Sequence, residues 1–367
     1  MQPRLQRYKQ FIDTEFTASL LWNKDYSLDG LGKDLRSKIE AGQFRKIIFT
    51  GMGCSAIVSD VIKGFFASRK IPIYVDVIND FDVDLLVDKE VLKDEKTLTI
   101  ISSYSGYSQE PINFYQNIKE LTQNIIFLTS GGKLAEIAKQ DNVSIIHWEL
   151  RNPDREYPLF HVPQYFSILL DIFTELKMIE SNFQNELKET AIYLKQEFSE
   201  QKIKQAELFA EKLRDREIVF LAEPKWYFTL LKLVDMHFNE MSMAPAHRNF
   251  FHEFTHSEVA VFTEPKNKLA IVIFRDIDED NYTNEKINRL VSVFTDKKAK
   301  QNKNIELVEI KLDQKNFFQK FFSTLLFINY ASYFLGIYND MESRELISTS
   351  AGNSWYNQKT IQAEKKI

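Results

Sequence analysis

The sequence is poor in several features that would each indicate a particular class of protein. A single cysteine among 367 residues, Cys54, excludes an intramolecular disulfide and predicts a cytoplasmic location. No apolar run approaches the ~20 residues of a bilayer-spanning helix, so we expect no membrane contact. The first residues lack the apolar core of a secretory signal peptide. The formal net charge of −5, with acids and bases interspersed, argues against a nucleic-acid-binding face.

Two series of short apolar strands, separated by helical patterns, organise the chain. Strands bounded by Gly or Ser and followed by helices are typical of parallel βαβ units. Long helical patterns over 161–214 separate the two series, and an apolar helix over 317–336 ends the second. The pattern therefore predicts an α/β fold with two similar halves, each a small doubly wound sheet. The predicted strands are 45–50, 71–78, 97–102, 124–130 and 143–148, then 217–222, 258–263, 269–275 and 305–312.

Glycine is scarce, at 11 residues, yet it recurs with serine in three loops that follow predicted strands. These loops are "FTGMGCSA" at 49–56, "SYSGYSQEP" at 103–111 and "TSGGKL" at 129–134. Ser is also a good N-cap and turn former, so each loop alone is explained by ordinary turn chemistry. Three such loops at the carboxyl edge of one parallel sheet instead favour a phosphate site, where hydroxyls and helix N-terminal N–H groups hold the oxygens.

The three loops resemble the signature loops of the sugar isomerase (SIS) domain, and in particular those of bifunctional phosphoglucose/phosphomannose isomerases. The resemblance implies two SIS domains, each with a doubly wound, mainly parallel sheet flanked by helices. It also implies an arginine on the phosphate after the predicted strand at 143–148, where "RNPDREYPLF" offers Arg151 and Arg155, and we favour Arg155. By the same resemblance, the residues around the sugar phosphate are Gly53, Cys54, Ser55, Ser103, Ser105 and Ser108, with Cys54 in place of the family's glycine.

The segment 237–262 holds four of the six histidines and resembles the family's catalytic segment. The resemblance implies that Glu240 shuttles a proton through a cis-enediol and that His256, sixteen residues later, opens the sugar ring. It leaves open whether His256 acts in its own chain or in a neighbouring subunit. A solvated helix carboxylate and a capping or core histidine are the alternative interpretations of these two residues. Helix surface or loop positions explain the other three histidines, His237, His247 and His252, so we expect neither a metal nor an organic cofactor.

Two departures from the family pattern leave the substrate open. Met243 replaces a lysine of the catalytic segment, and Ser348 occupies the place of a lysine that assists ring opening in several members. The predicted function is aldose–ketose isomerisation of a phosphorylated sugar, either a glucose, mannose or fructose 6-phosphate or an amino sugar phosphate. A fructosamine-6-phosphate deglycase and a non-catalytic sugar-phosphate sensor are the alternatives.

The expected organisation is a homodimer of two-domain chains. The predicted boundaries are an N-terminal helical extension at 1–30, a phosphate-binding SIS domain at 31–180, connecting helices at 181–215, a catalytic SIS domain at 216–340 and a tail at 341–367.

Overall fold

The computed structural model describes residues 3–154, 157–296 and 304–344. The chain divides into two compact units. We call Ala18–Leu187 the N-terminal unit, and we call Lys188–Glu342, together with the residues up to Thr17, the C-terminal unit. The domain boundaries expected from the sequence stay predictions.

The N-terminal unit is built on a six-stranded sheet of order β1-β6-β5-β4-β2-β3. All neighbouring pairs are parallel except β1 and β6, which pair antiparallel. Buried Ile, Leu and Phe side chains fill its core, among them Ile48, Leu92, Ile101, Phe114 and Phe127, each at most 1% exposed. The strands are β1 (Tyr26–Ser27), β2 (Lys46–Thr50), β3 (Tyr74–Ile78), β4 (Thr97–Ser102), β5 (Ile125–Thr129) and β6 (Ser144–Trp148).

The C-terminal unit is built on a four-stranded, entirely parallel sheet of order β10-β9-β7-β8. Its core includes Val219, Leu221, Phe254, Ile271 and Ile273, each at most 1% exposed. The parallel parts of the two sheets share one winding pattern, since β2 lies between β3 and β4, and β7 lies between β8 and β9. The strands are β7 (Glu217–Ala222), β8 (Ala246–Phe250), β9 (Leu269–Asp276) and β10 (Ile305–Leu312).

Helices precede, connect and flank these strands, and the structure confirms the predicted α/β class with two parallel-rich sheets. The α-helices are Arg4–Gln10, Phe16–Ser19, Lys33–Glu40, Gly53–Ser68, Val83–Leu86, Lys89–Lys93, Gln109–Ile118, Gly132–Asp141, Val162–Glu175, Asn182–Glu197, Glu200–Leu213, Pro224–Trp226, Lys232–Met241, Phe251–Phe254, Asn281–Thr295 and Phe317–Tyr338. Single π-helical turns span Phe11–Glu15 and Tyr227–Leu231, and 3₁₀ turns span Pro158–His161, Glu258–Phe262 and Met341–Ser343.

One predicted strand is wrong. The alternating segment at 258–263 forms a 3₁₀ turn, in which Val261 is 60% exposed while Phe262 is buried. The place beside β7 is taken instead by β8, which pairs with it from Ile218 and Ala246 onward. This edge strand is only partly buried and carries His, Arg and Asn, so its sequence lacks the apolar signal of an interior parallel strand.

The expectation about apolar runs also needs correction for one helix. Among the described residues, Phe317–Tyr338 alone has the length and apolar composition of a membrane span. In the structure, 72% of its most apolar window is buried inside the protein. Within this helix, Lys320 is 3% exposed and is bonded to Asp276 of β9. The helix therefore packs as a core helix of the C-terminal unit.

Candidate functional site

The sheet of the N-terminal unit has a switch point between β2 and β4. The connection after β2 leads toward β3 on one side, while β4 lies on the other side. In open α/β sheets, such a reversal leaves a crevice at the carboxyl ends of the strands, where ligands bind. The predicted phosphate loops follow β2 and β4, so they border this crevice.

Hydrogen bonds join the three loops. The Ser55 hydroxyl accepts from the backbone N–H of Tyr104 at 3.2 Å, which connects the first loop to the second. The carbonyl of Tyr104 accepts from the N–H of Ser130 at 2.9 Å and from its hydroxyl at 2.7 Å, which connects the second loop to the third. The N–H of Leu134 also donates to the carbonyl of Gly106 at 3.1 Å. The loops therefore form one hydrogen-bonded structure.

Two glycines permit this close approach. Gly106 has φ +70°, and a Cβ added there would lie 1.9 Å from the carbonyl oxygen of Gly131. Gly132 has φ +68°, and a Cβ there would lie 2.2 Å from the carbonyl oxygen of Ser105. Both positions combine a left-handed backbone with a contact that excludes any side chain.

The serines of the second loop do not act as ordinary helix caps. Ser108 is the N-cap residue of the Gln109–Ile118 helix, yet its side chain makes no capping hydrogen bond. Its hydroxyl accepts instead from the hydroxyl of buried Ser103 at 3.2 Å, while Ser105 is exposed. The capping interpretation of Ser108 therefore fails, and the N-terminal N–H groups of this helix receive no bond from its N-cap side chain.

The first loop begins the Gly53–Ser68 helix directly. Gly53 is exposed with φ +53°, Cys54 is half-buried and Ser55 is buried. The N-cap residue, Met52, offers no side-chain cap either. The structure thus places the six predicted loop residues of the phosphate site at one sheet edge, and their role there stays a prediction.

The predicted arginine, Arg155, lies outside the described residues. The other candidate, Arg151, forms an ion pair with Asp25, because its guanidinium donates to both carboxylate oxygens at 2.7 and 3.2 Å. Nearby, the backbone N–H of Asp154 donates to Nε2 of buried His161 at 2.8 Å, and burial lowers the pKa of His161 to about 4. These bonds hold the described residues Arg151 and Asp154 in place.

Glu240 lies near the end of the Lys232–Met241 helix of the C-terminal unit. Its side chain is partly buried, and burial raises its pKa from 4.5 to about 7. Among the described residues, no hydrogen bond or ion pair reaches its carboxylate. A general base is most effective when its pKa lies near the working pH, and the raised pKa of Glu240 falls in that range.

The turn after Glu240 is fixed by paired contacts. The side-chain amide of Asn239 donates to the carbonyl of Ala246 at 2.9 Å, and its oxygen accepts from the N–H of Ala246 at 3.1 Å. The hydroxyl of Ser242 donates to the carbonyl of Ser332 at 2.9 Å. These bonds fasten the helix end that carries Glu240 to the start of β8 and to the Phe317–Tyr338 helix.

His256 is exposed in the short connection between the Phe251–Phe254 helix and the 3₁₀ turn Glu258–Phe262. No hydrogen bond or ion pair connects it to Glu240 in the described part of the chain. The structure thus places the two predicted catalytic residues in one unit, and the described residues show no hydrogen bond or ion pair between them. The alternative of a buried core histidine is excluded for His256 by its exposure.

Of the remaining histidines in this segment, His237 differs most from the sequence interpretation. It is 1% exposed, it contacts the Tyr8 hydroxyl through Nδ1 at 3.1 Å, and burial lowers its pKa to about 3. His247 is exposed, with Nε2 3.5 Å from Glu258. In the residues that the structure describes, no group of three or more His, Cys, Asp or Glu side chains could hold a metal ion.

Sequence reasoning missed a buried ionic cluster at the corresponding edge of the C-terminal sheet. Asp276, at the end of β9, is fully buried and accepts from Lys225 Nζ and Trp226 Nε1, each at 2.6 Å. Lys320 donates to Asp276 and, at 2.6 Å, to Asp278. In the sequence, the acidic residues that follow the apolar strand β9 could have indicated this cluster. Charged side chains that pair with one another therefore occupy the switch point between β7 and β9.

Comparison with known proteins finds relatives of the chain. A family model described as the bacterial phospho-glucose isomerase C-terminal SIS domain matches residues 202–348, which include Glu240 and His256. A bifunctional phosphoglucose/phosphomannose isomerase from Caldicellulosiruptor bescii is 29% identical over 268 residues, 68% of this chain and 73% of that protein. The chain is an SIS-domain protein related to bifunctional phosphoglucose/phosphomannose isomerases. This finding confirms the resemblance carried by the three loops.

Two further comparisons bear on this SIS-domain protein. A D-glucosamine-6-phosphate 4-epimerase from Sulfolobus acidocaldarius is 29% identical over 160 residues, 42% of this chain and 43% of that protein. The C-terminal domain of glucosamine-fructose-6-phosphate aminotransferase from Francisella tularensis aligns with TM-score 0.59 at 14% identity, covering 92% of this chain and 96% of that structure. The structural match shows that the fold is a tandem SIS fold.

Proposed function

We propose that this protein catalyses the aldose–ketose isomerisation of a phosphorylated sugar, with Glu240 as the base. The proposal is carried by the state of Glu240, a partly buried carboxyl that receives no hydrogen bond or ion pair from the described residues and whose pKa burial raises to about 7. A solvated helix carboxylate would keep its usual pKa near 4.3. The raised value supports a proton-transfer role, because a base is most effective when its pKa lies near the working pH.

In this mechanism, the ionised carboxyl of Glu240 removes the C2 proton of the open-chain aldose. The electron pair of the C2–H bond forms the C1=C2 double bond, and the carbonyl oxygen takes a proton, which gives the cis-enediol. Glu240 then returns its proton to C1, while the C2 hydroxyl releases a proton in exchange for the one taken up at the C1 oxygen, and the carbonyl of the ketose forms at C2. The same carboxyl serves as base and as acid, so no net proton is consumed.

The serine loops support the phosphate-binding half of the proposal. Their hydroxyls and helix N-terminal N–H groups suit a terminal phosphomonoester. In the hydroxyl pair, Ser103 donates to Ser108, which leaves the hydrogen of Ser108 for a ligand oxygen. Gly53, Cys54, Ser55 and Ser105 complete the proposed phosphate site, to which we add Arg155.

His256 is proposed as the group that exchanges a proton with the ring oxygen when the sugar opens. Its exposure, and the absence of a hydrogen bond or ion pair to Glu240 within the described chain, support a role at the active site of a neighbouring copy of the chain. We therefore propose a homodimer in which each chain completes the site of its partner.

A second candidate substrate class is favoured by one comparison. The Sulfolobus acidocaldarius relative is a D-glucosamine-6-phosphate 4-epimerase, which supports an amino sugar phosphate as substrate. Fructosamine-6-phosphate deglycase activity and non-catalytic binding are outcomes that the same experiment separates.

The test is product analysis by NMR on purified protein with a panel of phosphosugars. The panel contains the 6-phosphates of glucose, mannose, fructose, glucosamine and fructosamine. Interconversion of aldose and ketose supports the proposal, and the responding sugar identifies the substrate class. Release of an amine from fructosamine 6-phosphate would instead identify a deglycase. Binding of a phosphosugar without turnover of any panel member would contradict the isomerase proposal.

A further inference from the structure

A second histidine, His252, lies four residues before His256 and takes part in a chain of polar contacts. It is on the Phe251–Phe254 helix, and its Nε2 atom is 3.1 Å from the hydroxyl of Thr283. Its Nδ1 atom is 3.5 Å from Nζ of Lys286. Thr283 and Lys286 are on the Asn281–Thr295 helix, so the contacts connect two helices of the C-terminal unit.

The direction of these bonds follows from Asp280. The hydroxyl of Thr283 donates its only hydrogen to the carboxylate of Asp280 at 2.7 Å, so it accepts from His252. Nε2 of His252 therefore carries a hydrogen. Since the Lys286 ammonium has only donors, Nδ1 of His252 must accept from it. The surrounding contacts thus select one neutral tautomer of His252.

The charges around His252 agree with this assignment. Burial, the Lys286 ammonium and His256 lower the pKa of His252, while Asp280 raises it. The net shift is downward, so the imidazole stays neutral and orients Lys286. His256 follows His252 by four residues, so both histidines lie in one short segment of the C-terminal unit.

Lys286 is a partly buried cation on the Asn281–Thr295 helix. Within the described residues, no carboxylate forms an ion pair with its ammonium, and its polar contact is the neutral His252 ring. The exposed ring of Tyr282, 67% exposed, lies 6.0 Å from Nζ and stacks on His252. An ammonium has three N–H donors, and His252 uses one. Two donors therefore remain for an oxygen ligand.

We infer that Lys286, oriented by His252, forms an oxyanion-binding subsite beside His256. This inference rests on the proposed function, because the oxyanion is a substrate oxygen at the site that His256 serves. The chemistry recognised is a negatively charged oxygen of a sugar phosphate, and two oxygens qualify: the ring oxygen during opening and the phosphate.

The ring-opening step balances as follows. The bond between C1 and the ring oxygen breaks, and its electron pair passes to the ring oxygen. His256 donates a proton to that oxygen, while the C1 hydroxyl loses its proton to water and becomes the aldehyde. Lys286 stabilises the negative charge that develops before the proton arrives, as donors in an oxyanion site do.

The test uses full-length protein carrying Glu240→Gln, so that isomerisation does not obscure ring opening. Interconversion of the α and β anomers of glucose 6-phosphate is measured by NMR exchange spectroscopy. The variants Lys286→Met and Lys286→Arg are compared with Arg289→Met. Arg289 is the matched control, because it is on the same helix, is 83% exposed and is paired only with Glu285 in the described structure.

We expect Lys286→Met to slow anomer interconversion at least about 10-fold, Lys286→Arg to restore part of the rate and Arg289→Met to change nothing. An unchanged KM with a lower rate identifies the ring oxygen as the ligand. A KM raised about 10-fold with an unchanged rate identifies the phosphate. Equal rates and equal KM for Lys286→Met and Arg289→Met would overturn the inference.

His252 is a positioning residue in this account, and its own variants test that role. Gln carries both a donor and an acceptor, so His252→Gln should retain more of the rate than His252→Leu. Nitrogen NMR of labelled histidine should also show the neutral Nε2–H form of His252 at pH 7.

If the Glu240→Gln protein accelerates no anomer interconversion and the unmodified protein isomerises no panel sugar, the proposed function fails and the subsite fails with it. If the protein accelerates anomer interconversion but Lys286→Met leaves its rate and KM unchanged, only the subsite is refuted.

Discussion

Replacement of Glu240 by Gln should stabilise the protein at alkaline pH while it abolishes isomerisation. A carboxyl group whose pKa is higher in the folded than in the unfolded chain destabilises the fold once the pH exceeds its unfolded value. Ionising Glu240 between 4.5 and about 7 costs about 1.4 kcal/mol per pH unit, which sets an upper bound of about 3 kcal/mol. Since the side chain keeps some exposure, we expect about 2 kcal/mol.

Because the pKa of Glu240 is raised on folding, the stability difference between the two proteins depends on pH. Below pH 4.5 the group is protonated in both states, so the two proteins should unfold with equal free energies. The advantage of Glu240→Gln should grow between pH 4.5 and 7 and stay constant above about pH 7. Urea unfolding followed by circular dichroism at pH 5, 6, 7 and 8.5 measures this difference, and equal slopes with denaturant show that the unfolding reaction is unchanged.

Glu285→Gln is the matched control. Glu285 has a 71% exposed side chain in the same unit, and its replacement should leave the pH dependence of stability unaltered. A Glu240→Gln protein that is no more stable than the unmodified protein at pH 8.5, or whose advantage is constant from pH 5 to 8.5, would refute the argument from burial.

Three further predictions concern the loops and the ionic cluster. Gly106→Ala should lower the free energy of unfolding by more than about 2 kcal/mol, since it adds left-handed strain to an overlap with a carbonyl oxygen. Ser108→Ala should leave the free energy of unfolding within about 0.5 kcal/mol, because no capping bond is lost, yet weaken phosphosugar binding about 10-fold. Lys320→Met should cost about 3 kcal/mol or more, because buried Asp276 loses one of its two cations. Urea unfolding and calorimetric titration with fructose 6-phosphate measure these changes.

Controls for these variants come from the same chain. Gly42 has φ +67° but nothing within 4 Å of an added Cβ, so Gly42→Ala should cost only about 1 kcal/mol. Lys204→Met removes a 61% exposed lysine and should cost little. Similar losses for Gly106→Ala and Gly42→Ala, or a stability loss near 1 kcal/mol for Ser108→Ala with unchanged binding, would contradict the respective arguments. Equal free energies of unfolding for Lys320→Met and Lys204→Met would contradict the argument that Asp276 needs both of its cations.

The sequence predicted the interior of both sheets well, because buried parallel strands are continuous apolar runs. The predictions for 97–102, 217–222 and 305–312 agree with the structure to the residue. The edge strand β8 was missed, since partial burial permits polar residues there. The 3₁₀ turn Glu258–Phe262 was mistaken for a strand. Its apolar and polar residues alternate as in a strand, but this pattern does not show that β8 already occupies the sheet edge beside β7.

The candidate site was predictable where its chemistry is local. Glycine and serine spacing located the loops around Gly53 and Ser103, because loop conformation depends mostly on residues close in the chain. The raised pKa of Glu240 was not predictable, since burial depends on residues distant in sequence. The contact between His252 and Lys286 was missed for the same reason, because 34 residues separate them.

Solvent deuterium incorporation tests the central claim most directly. The responding sugar phosphate is incubated in D₂O with the unmodified protein and with Glu240→Gln, and NMR follows deuterium at C1 and C2. Exchange at these carbons by the unmodified protein, lost in Glu240→Gln but retained in Glu285→Gln, is the predicted result. Exchange at an undiminished rate in Glu240→Gln would contradict the assignment of Glu240 as the base.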